Sequence, residues 1–129
     1  MKILLDTCSF LWFVNGEVNK ISKAAKDIFL DEESEIFLSI VSCWEISIKW
    51  SINKLELRHP PDTFLRIQIQ RNELSLLSIE LEHAIQVANL PFYHNDPFDR
   101  LLISQAIVEN IPLMSADKTL SQYEIERIW

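Results

Sequence analysis

His94–Glu109, HNDPFDRLLISQAIVE, reads as the start and body of one buried helix. Asp96 is placed as its N-cap, Pro97 takes the first helical position, and Asp99 falls three residues after the cap. From Phe98 onward, Leu101, Leu102, Ile103, Ala106, Ile107 and Val108 leave the helix apolar over most of its circumference. Such a helix belongs in a layer packed on a sheet. Capping and the helix dipole already account for two carboxylates at its start. Whether further acids converge on that helix end decides whether the chain carries a site.

Working outward, the segment after this helix, Ile111–Ser115 (IPLMS), reads as a strand ending beside Asp117. Tyr123–Trp129 adds a short edge strand. At the other end of the chain, Lys2–Leu5 is an apolar run without alternation, the pattern of a central parallel strand buried on both faces, and it ends at Asp6. Thr7–Asn15 is helical and stops at Asn15-Gly16, where the chain's only glycine stands as a C-terminal cap. Ser22 caps a helix over Lys23–Glu33. Glu35–Ile40 is a second strand, and Ser42 is read as the cap of a helix from Cys43 to about Asn53, with Trp44, Ile48 and Ile52 in one stripe. A double-proline connector, a helix over Asp62–Asn72, a strand over Leu74–Ile79 and a helix over Glu80–Leu90 complete the series. Strands alternating with helices predict an α/β three-layer sandwich around a mainly parallel sheet of four to five strands. Residues 1–129 read as a single domain, without repeats or linkers.

Composition agrees. The chain has 129 residues, 48% of them hydrophobic, enough for one sizeable core. Nothing approaches the roughly 18 consecutive apolar residues of a membrane span. The opening MKILLDTCSF is too short and too soon acidic for a secretory signal, so a cytoplasmic chain is expected. Cys8 and Cys43 read as free thiols rather than a disulfide. A net charge of −7 argues against a basic nucleic-acid coat protein. It leaves a nuclease open, because acids loaded with a divalent cation present a different local charge.

In open parallel sheets, functional groups gather outside the carboxyl ends of the strands. Asp6 ends the first strand, and Asp117 lies just past the fourth. Glu45 stands in the first turn of the helix after the second strand, and Asp99 in the first turn of the helix before the fourth. Each has an ordinary reading. Asp6 and Asp117 can cap the turns that follow them, Glu45 can pair with Lys49 one helical turn on, and Asp99 can complete a capping box. Four at one edge strain that explanation. Two like charges about 4 Å apart repel by roughly 4 kcal/mol at an effective dielectric of about 20. Such a group needs raised pKa values or a bound cation. Carboxylate oxygens favour Mg²⁺ or Mn²⁺ over zinc. Asp96 is assigned to capping. Ser115 and Thr7 are candidates to orient a carboxylate, and His94 stands near the site as a loop histidine. Trp44 and Trp50 are read as core or interface residues.

LLDTCSFLW at Leu4–Trp12, SCWEISIK at Ser42–Lys49, HNDPFDRLLISQA at His94–Ala106 and PLMSAD at Pro112–Asp117 resemble, in order, the PIN domain, and within it the VapC-like toxins of type II toxin–antitoxin pairs. DPFDRLL-x-x-QA is the most specific block. The resemblance implies a Mg²⁺-dependent endoribonuclease, with Mn²⁺ as a substitute, that cleaves single-stranded RNA through metal-activated water and leaves 5′-phosphate and 3′-hydroxyl ends. Its acidic site maps onto Asp6, Glu45, Asp99 and Asp117. Asp6 and Asp99 would be direct ligands, with Glu45 and Asp117 completing the shell or holding a second ion. It also implies a homodimer and a cognate antitoxin, for which the aromatic first helix (Phe10, Trp12, Phe13) is a candidate groove. Lys49, Lys54, Arg58 and Arg100 are candidates to hold RNA, Arg100 alternatively pairing with Asp96 or Glu45. Asn53 stands where many relatives have glycine, a neutral change because asparagine also tolerates the left-handed conformation.

The alternative is a catalytically silent PIN-fold interaction module regulating RNA processing. A phosphatase using Asp6 as nucleophile lacks the second acid of a DxDx motif, and a flavodoxin-like module lacks its glycine-rich loop.

Overall fold

The computed structural model describes residues 1–129. Five strands, β1 (Lys2–Leu5), β2 (Glu35–Ser39), β3 (Ser75–Leu77), β4 (Leu113–Met114) and β5 (Arg127–Ile128), form one parallel sheet in the order β3-β2-β1-β4-β5. The apolar run without alternation is the middle strand. Ile3 and Leu5 point into one core with Phe10, Ile36, Leu38, Ile46 and Phe64, while Leu4 points into another with Val41, Leu102, Ile103, Ala106 and Leu113. A strand with helices on both faces must be apolar at every position, which is why Ile3, Leu4 and Leu5 are all fully buried.

Six α-helices cover the two faces: α1 (Thr7–Val14), α2 (Lys23–Leu30), α3 (Ile40–Ser51), α4 (Pro61–Arg71), α5 (Leu81–Gln86) and α6 (Pro97–Glu109). None is long and apolar enough to cross a membrane. Caps match the sequence at most ends. Asp6 accepts the Ser9 N–H, Ser22 accepts the Ala25 N–H, and Asp96 accepts those of Phe98 and Asp99. Gly16 follows α1 with φ 69°, and Asn53 follows α3 with φ 58°, the left-handed conformation expected to suit asparagine.

The structure corrects the start of α3. Its N-cap is Ser39, the last residue of β2, which accepts the Val41 N–H at 3.0 Å; the helix begins at Ile40 rather than Cys43. Ile40, the last residue of the expected strand, is β-branched like Val41, yet β2 passes into α3 without a loop. The buried stripe shifts with it. Val41, Ser42, Glu45 and Ile46 face in, whereas Trp44 and Ile52 are 55% and 53% exposed.

The aromatics of α1 find partners within the chain. Phe10 meets Phe64 edge-on at 6.3 Å, Phe13 stacks on Phe29 at 3.9 Å, and Trp12 lies 5.6 Å from Trp129. Cys8 and Cys43 are free thiols, as expected.

Candidate functional site

The chain runs β1, β2, β3 toward one edge of the sheet and then returns to lay β4 and β5 on the other side of β1. The sheet therefore reverses direction between β1 and β4. Outside the carboxyl ends of such a strand pair the following segments diverge and leave a crevice. Asp6 is the residue after β1, and Ser115 and Asp117 follow β4.

Asp6 is 7% exposed and fixed by its capping role, its Oδ1 accepting the Ser9 N–H at 2.8 Å. Glu45 is 5% exposed, on the second turn of α3 and on the helix's inward face. Thr7 Oγ1 donates to Glu45 Oε1 at 2.7 Å and lies 2.9 Å from Ser42 Oγ, while Lys49 Nζ donates to Oε2. The pairing of Glu45 with Lys49 is thus present, and Thr7 orients the same carboxylate toward the start of α1. Asp99 sits in the first turn of α6. Asp117 Oδ1 accepts the Thr119 N–H at 2.9 Å, capping the short turn over Lys118–Gln122.

His94 joins two of these acids. Its Nε2 is 3.1 Å from Asp99 Oδ2 and 3.2 Å from Asp117 Oδ2. Ligand atoms of His94, Asp99 and Asp117 all fall within 4.8 Å of one another. Asp6 and Glu45 lie outside that tight trio but within electrostatic reach of it. Burial raises the Asp6 pKa; hydrogen bonds from Ser115 and Ser9 oppose that rise, and the charge on Glu45 adds to it. Asp99 is pushed up to about 7, first by burial and then by the charge of Asp96; the His94 imidazole works the other way, and Asp6 and Glu45 add to the rise. The Cys8 thiol, on the first turn of α1, is pushed up to about 11 by partial burial and by the charges of Asp6, Asp99 and Glu45.

Donor chemistry here is carboxylate oxygen in an acid-crowded crevice, which suits a hard divalent cation such as Mg²⁺ or Mn²⁺. A cation would also favour the ionised forms that burial and like charges disfavour at Asp6 and Asp99.

Two residues depart from their expected roles. Arg100 is 6% exposed and forms no ion pair with Asp96 or Glu45; its only hydrogen bond to Asp96 is the helical one from its backbone N–H. Its Nη1 donates to the carbonyls of Pro91 and His94 and its Nη2 to those of Val87 and Leu90. A guanidinium spent on four backbone oxygens inside the fold is not available to RNA. Tyr123 carries no signal in the sequence beyond its place in the expected edge strand, which the structure confines to Arg127–Ile128; its Oη donates to Pro91 O and accepts the His94 N–H, both at 2.9 Å. It lies 29 residues from His94, and no local pattern links them.

These features define a doubly wound α/β domain with an acidic crevice at its switch point. The chain matches the PIN domain family over residues 3–126 and belongs to that family. No curated protein sequence matches it. Among solved structures it is similar to a chain of VapBC2 from Rickettsia felis, bound there to a DNA fragment from its promoter, with TM-score 0.74 and 16% identity over 99% of this chain and 98% of that one. DNA-bound VapBC from Salmonella typhimurium gives TM-score 0.68 and 14% identity over 99% and 97%. VapBC-5 of Mycobacterium tuberculosis, from the VapBC family of toxin–antitoxin systems, gives 0.61 and 13% over 98% and 97%.

Proposed function

We propose that this chain is a Mg²⁺-dependent endoribonuclease of the VapC toxin type, acting on single-stranded RNA in the cytoplasm as a homodimer held in check by a cognate antitoxin. One observation carries the reading. Asp6, Glu45, Asp99 and Asp117 come from four separate segments, and burial, with added charge from Asp96, Asp6 and Glu45, holds Asp99 up at about 7. Membership in the PIN family supports the nuclease, and the VapBC toxin–antitoxin neighbours support the antitoxin.

Asp6 and Asp99 are assigned as direct ligands, with Glu45 and Asp117 completing the shell. A bound Mg²⁺ or Mn²⁺ supplies Lewis acidity, activating water toward phosphorus and offsetting charge on the leaving oxygen. The chain supplies placement. Asp6 is fixed by the Ser9 N–H, Glu45 by Thr7 and Lys49, and Asp117 by the Thr119 N–H and His94. Carboxylates tethered in this way need little rearrangement when the ion and the phosphodiester arrive.

The test is cleavage of single-stranded RNA by the purified chain with Mg²⁺, Mn²⁺ or EDTA. Cleavage is expected with either ion, is abolished by EDTA, and is lost in Asp6→Asn and Asp99→Asn. Activity that survives both substitutions, or that needs no divalent ion, overturns the assignment.

A further inference from the structure

We propose that Arg100 and Tyr123 form a backbone clamp that positions His94, and that His94 is the hydrogen-bond donor setting the spacing of Asp99 and Asp117 rather than a ligand of the ion. The consequence for ion binding rests on the acidic-site reading above; the clamp itself does not.

His94 is gripped at both peptide groups and at the ring. Its N–H donates to Tyr123 Oη at 2.9 Å, and its carbonyl accepts from Arg100 Nη1 at 3.3 Å. Tyr123 and Arg100 also converge on one neighbouring oxygen, Pro91 O, at 2.9 and 2.8 Å. A buried guanidinium is ordinarily matched to a carboxylate. Arg100 instead passes over the acids on its own helix, Asp96 and Asp99, and satisfies four carbonyls of the irregular segment 87–94. Its guanidinium also lies over the Phe92 ring, 4.2 Å from the centroid. These contacts hold that segment to α6, leaving Asp96 to its capping role and Asp99 to the crevice.

The ring then follows from donor and acceptor arithmetic. His94 Nδ1 accepts the Asp96 N–H at 3.0 Å, so the ring proton sits on Nε2. That proton points between Asp99 Oδ2 and Asp117 Oδ2, at 3.1 and 3.2 Å. A nitrogen that carries a proton has no lone pair for a cation. The close grouping of His94, Asp99 and Asp117 is therefore two ligands and the donor that spaces them. Ion-site ligands elsewhere are commonly oriented by such outer partners, whose loss weakens metal binding by about 10- to 100-fold.

The variants are Tyr123→Phe, which deletes the hydroxyl and keeps the packed ring, His94→Ala, and the pair combined. Arg100→Met serves as a second clamp variant if it folds. The first readout is metal-free, two-bond ¹H–¹⁵N NMR of the His94 ring. Nε2 protonated and Nδ1 bare is expected in the wild type, with that signal broadened or averaged in Tyr123→Phe. The second is Mn²⁺ affinity by calorimetry. About 10-fold weakening is expected for Tyr123→Phe and for His94→Ala, and the double variant should be no weaker than His94→Ala alone. A wild-type ring protonated on Nδ1, an unchanged ring signal in Tyr123→Phe, or independent addition of the two losses overturns the clamp. A wild-type protein that binds no Mn²⁺ overturns the acidic-site reading instead, and the NMR arm still decides the clamp.

Discussion

Replacing Asp99 by asparagine is expected to stabilise the ion-free protein at neutral pH and to destroy its response to Mn²⁺. In the folded chain the Asp99 carboxyl is pushed up to about 7 from an ordinary 3.8, chiefly by burial and then by Asp96. Between those values the folded state binds a proton that the unfolded chain has released. This group's contribution to stability is therefore fully present below about pH 4 and is lost as pH rises through the window to about 7. A shift of about three units at roughly 1.4 kcal/mol each is on the order of 4 kcal/mol lost once both states are ionised. The side chain is 25% exposed, so most of that figure survives solvent screening. The asparagine variant carries none of this cost, and its amide oxygen still accepts the His94 Nε2–H. It forgoes the favourable anion at a helix N-terminus, about 0.3–1 kcal/mol. Urea melts in EDTA should therefore show Asp99→Asn more stable than wild type by about 2–4 kcal/mol near pH 8. The two should converge toward pH 4. Saturating Mn²⁺ should close most of that gap, since an ion at 100 times its Kd adds about 2.7 kcal/mol to the protein that binds it and nothing to one that does not. A stability gap that stays constant across pH refutes the reasoning.

Three further outcomes follow from the same contacts. Thr7→Val keeps the shape but removes the donor to Glu45 Oε1 at 2.7 Å; a loss of about 1 kcal/mol in urea melts is expected, with RNA cleavage falling more than stability. Ser39→Ala removes both the cap of α3 and the hydroxyl 2.5 Å from Gln105 Oε1, which should cost about 1–2 kcal/mol by the same melts. Leu4→Ala, at a fully buried position of the middle strand, should cost about 2–5 kcal/mol and lower the Tm with no change in the Mn²⁺ affinity of the folded fraction.

The sheet is legible because a strand buried on both faces leaves an unmistakable run, as at Ile3, Leu4 and Leu5, and because caps such as Asp6, Ser22 and Asp96 are local chemistry. The start of α3 is not. The local pattern puts the cap at Ser42, and the β-branched pair Ile40–Val41 favours a strand by propensity, so Ser39 is passed over. Tertiary packing decides between them by turning Glu45 inward. The expected phase puts Trp44 on the inward stripe and leaves Glu45 one position round, so it misses the buried face of that helix while singling out its acid. Arg100 shows the converse limit. A cation in reach of Asp96 or Glu45 invites pairing, and only the path of residues 87–94 across it reveals carbonyls as its partners. Tyr123 can be found only through space.

The absence of any loop between β1 and α1, or between β2 and α3, carries a consequence for how this fold tolerates change in length. A single residue inserted after Asp6 or Ser39 would rotate the following helix by about 100° against the sheet. After Ser39 that rotation would carry Glu45 away from the crevice, and Val41, Ser42 and Ile46 with it from the buried face. Those two junctions are thus rigid couplings in which length, as much as residue identity, is constrained, whereas an added residue in the connector at 54–60 would leave the crevice unmoved.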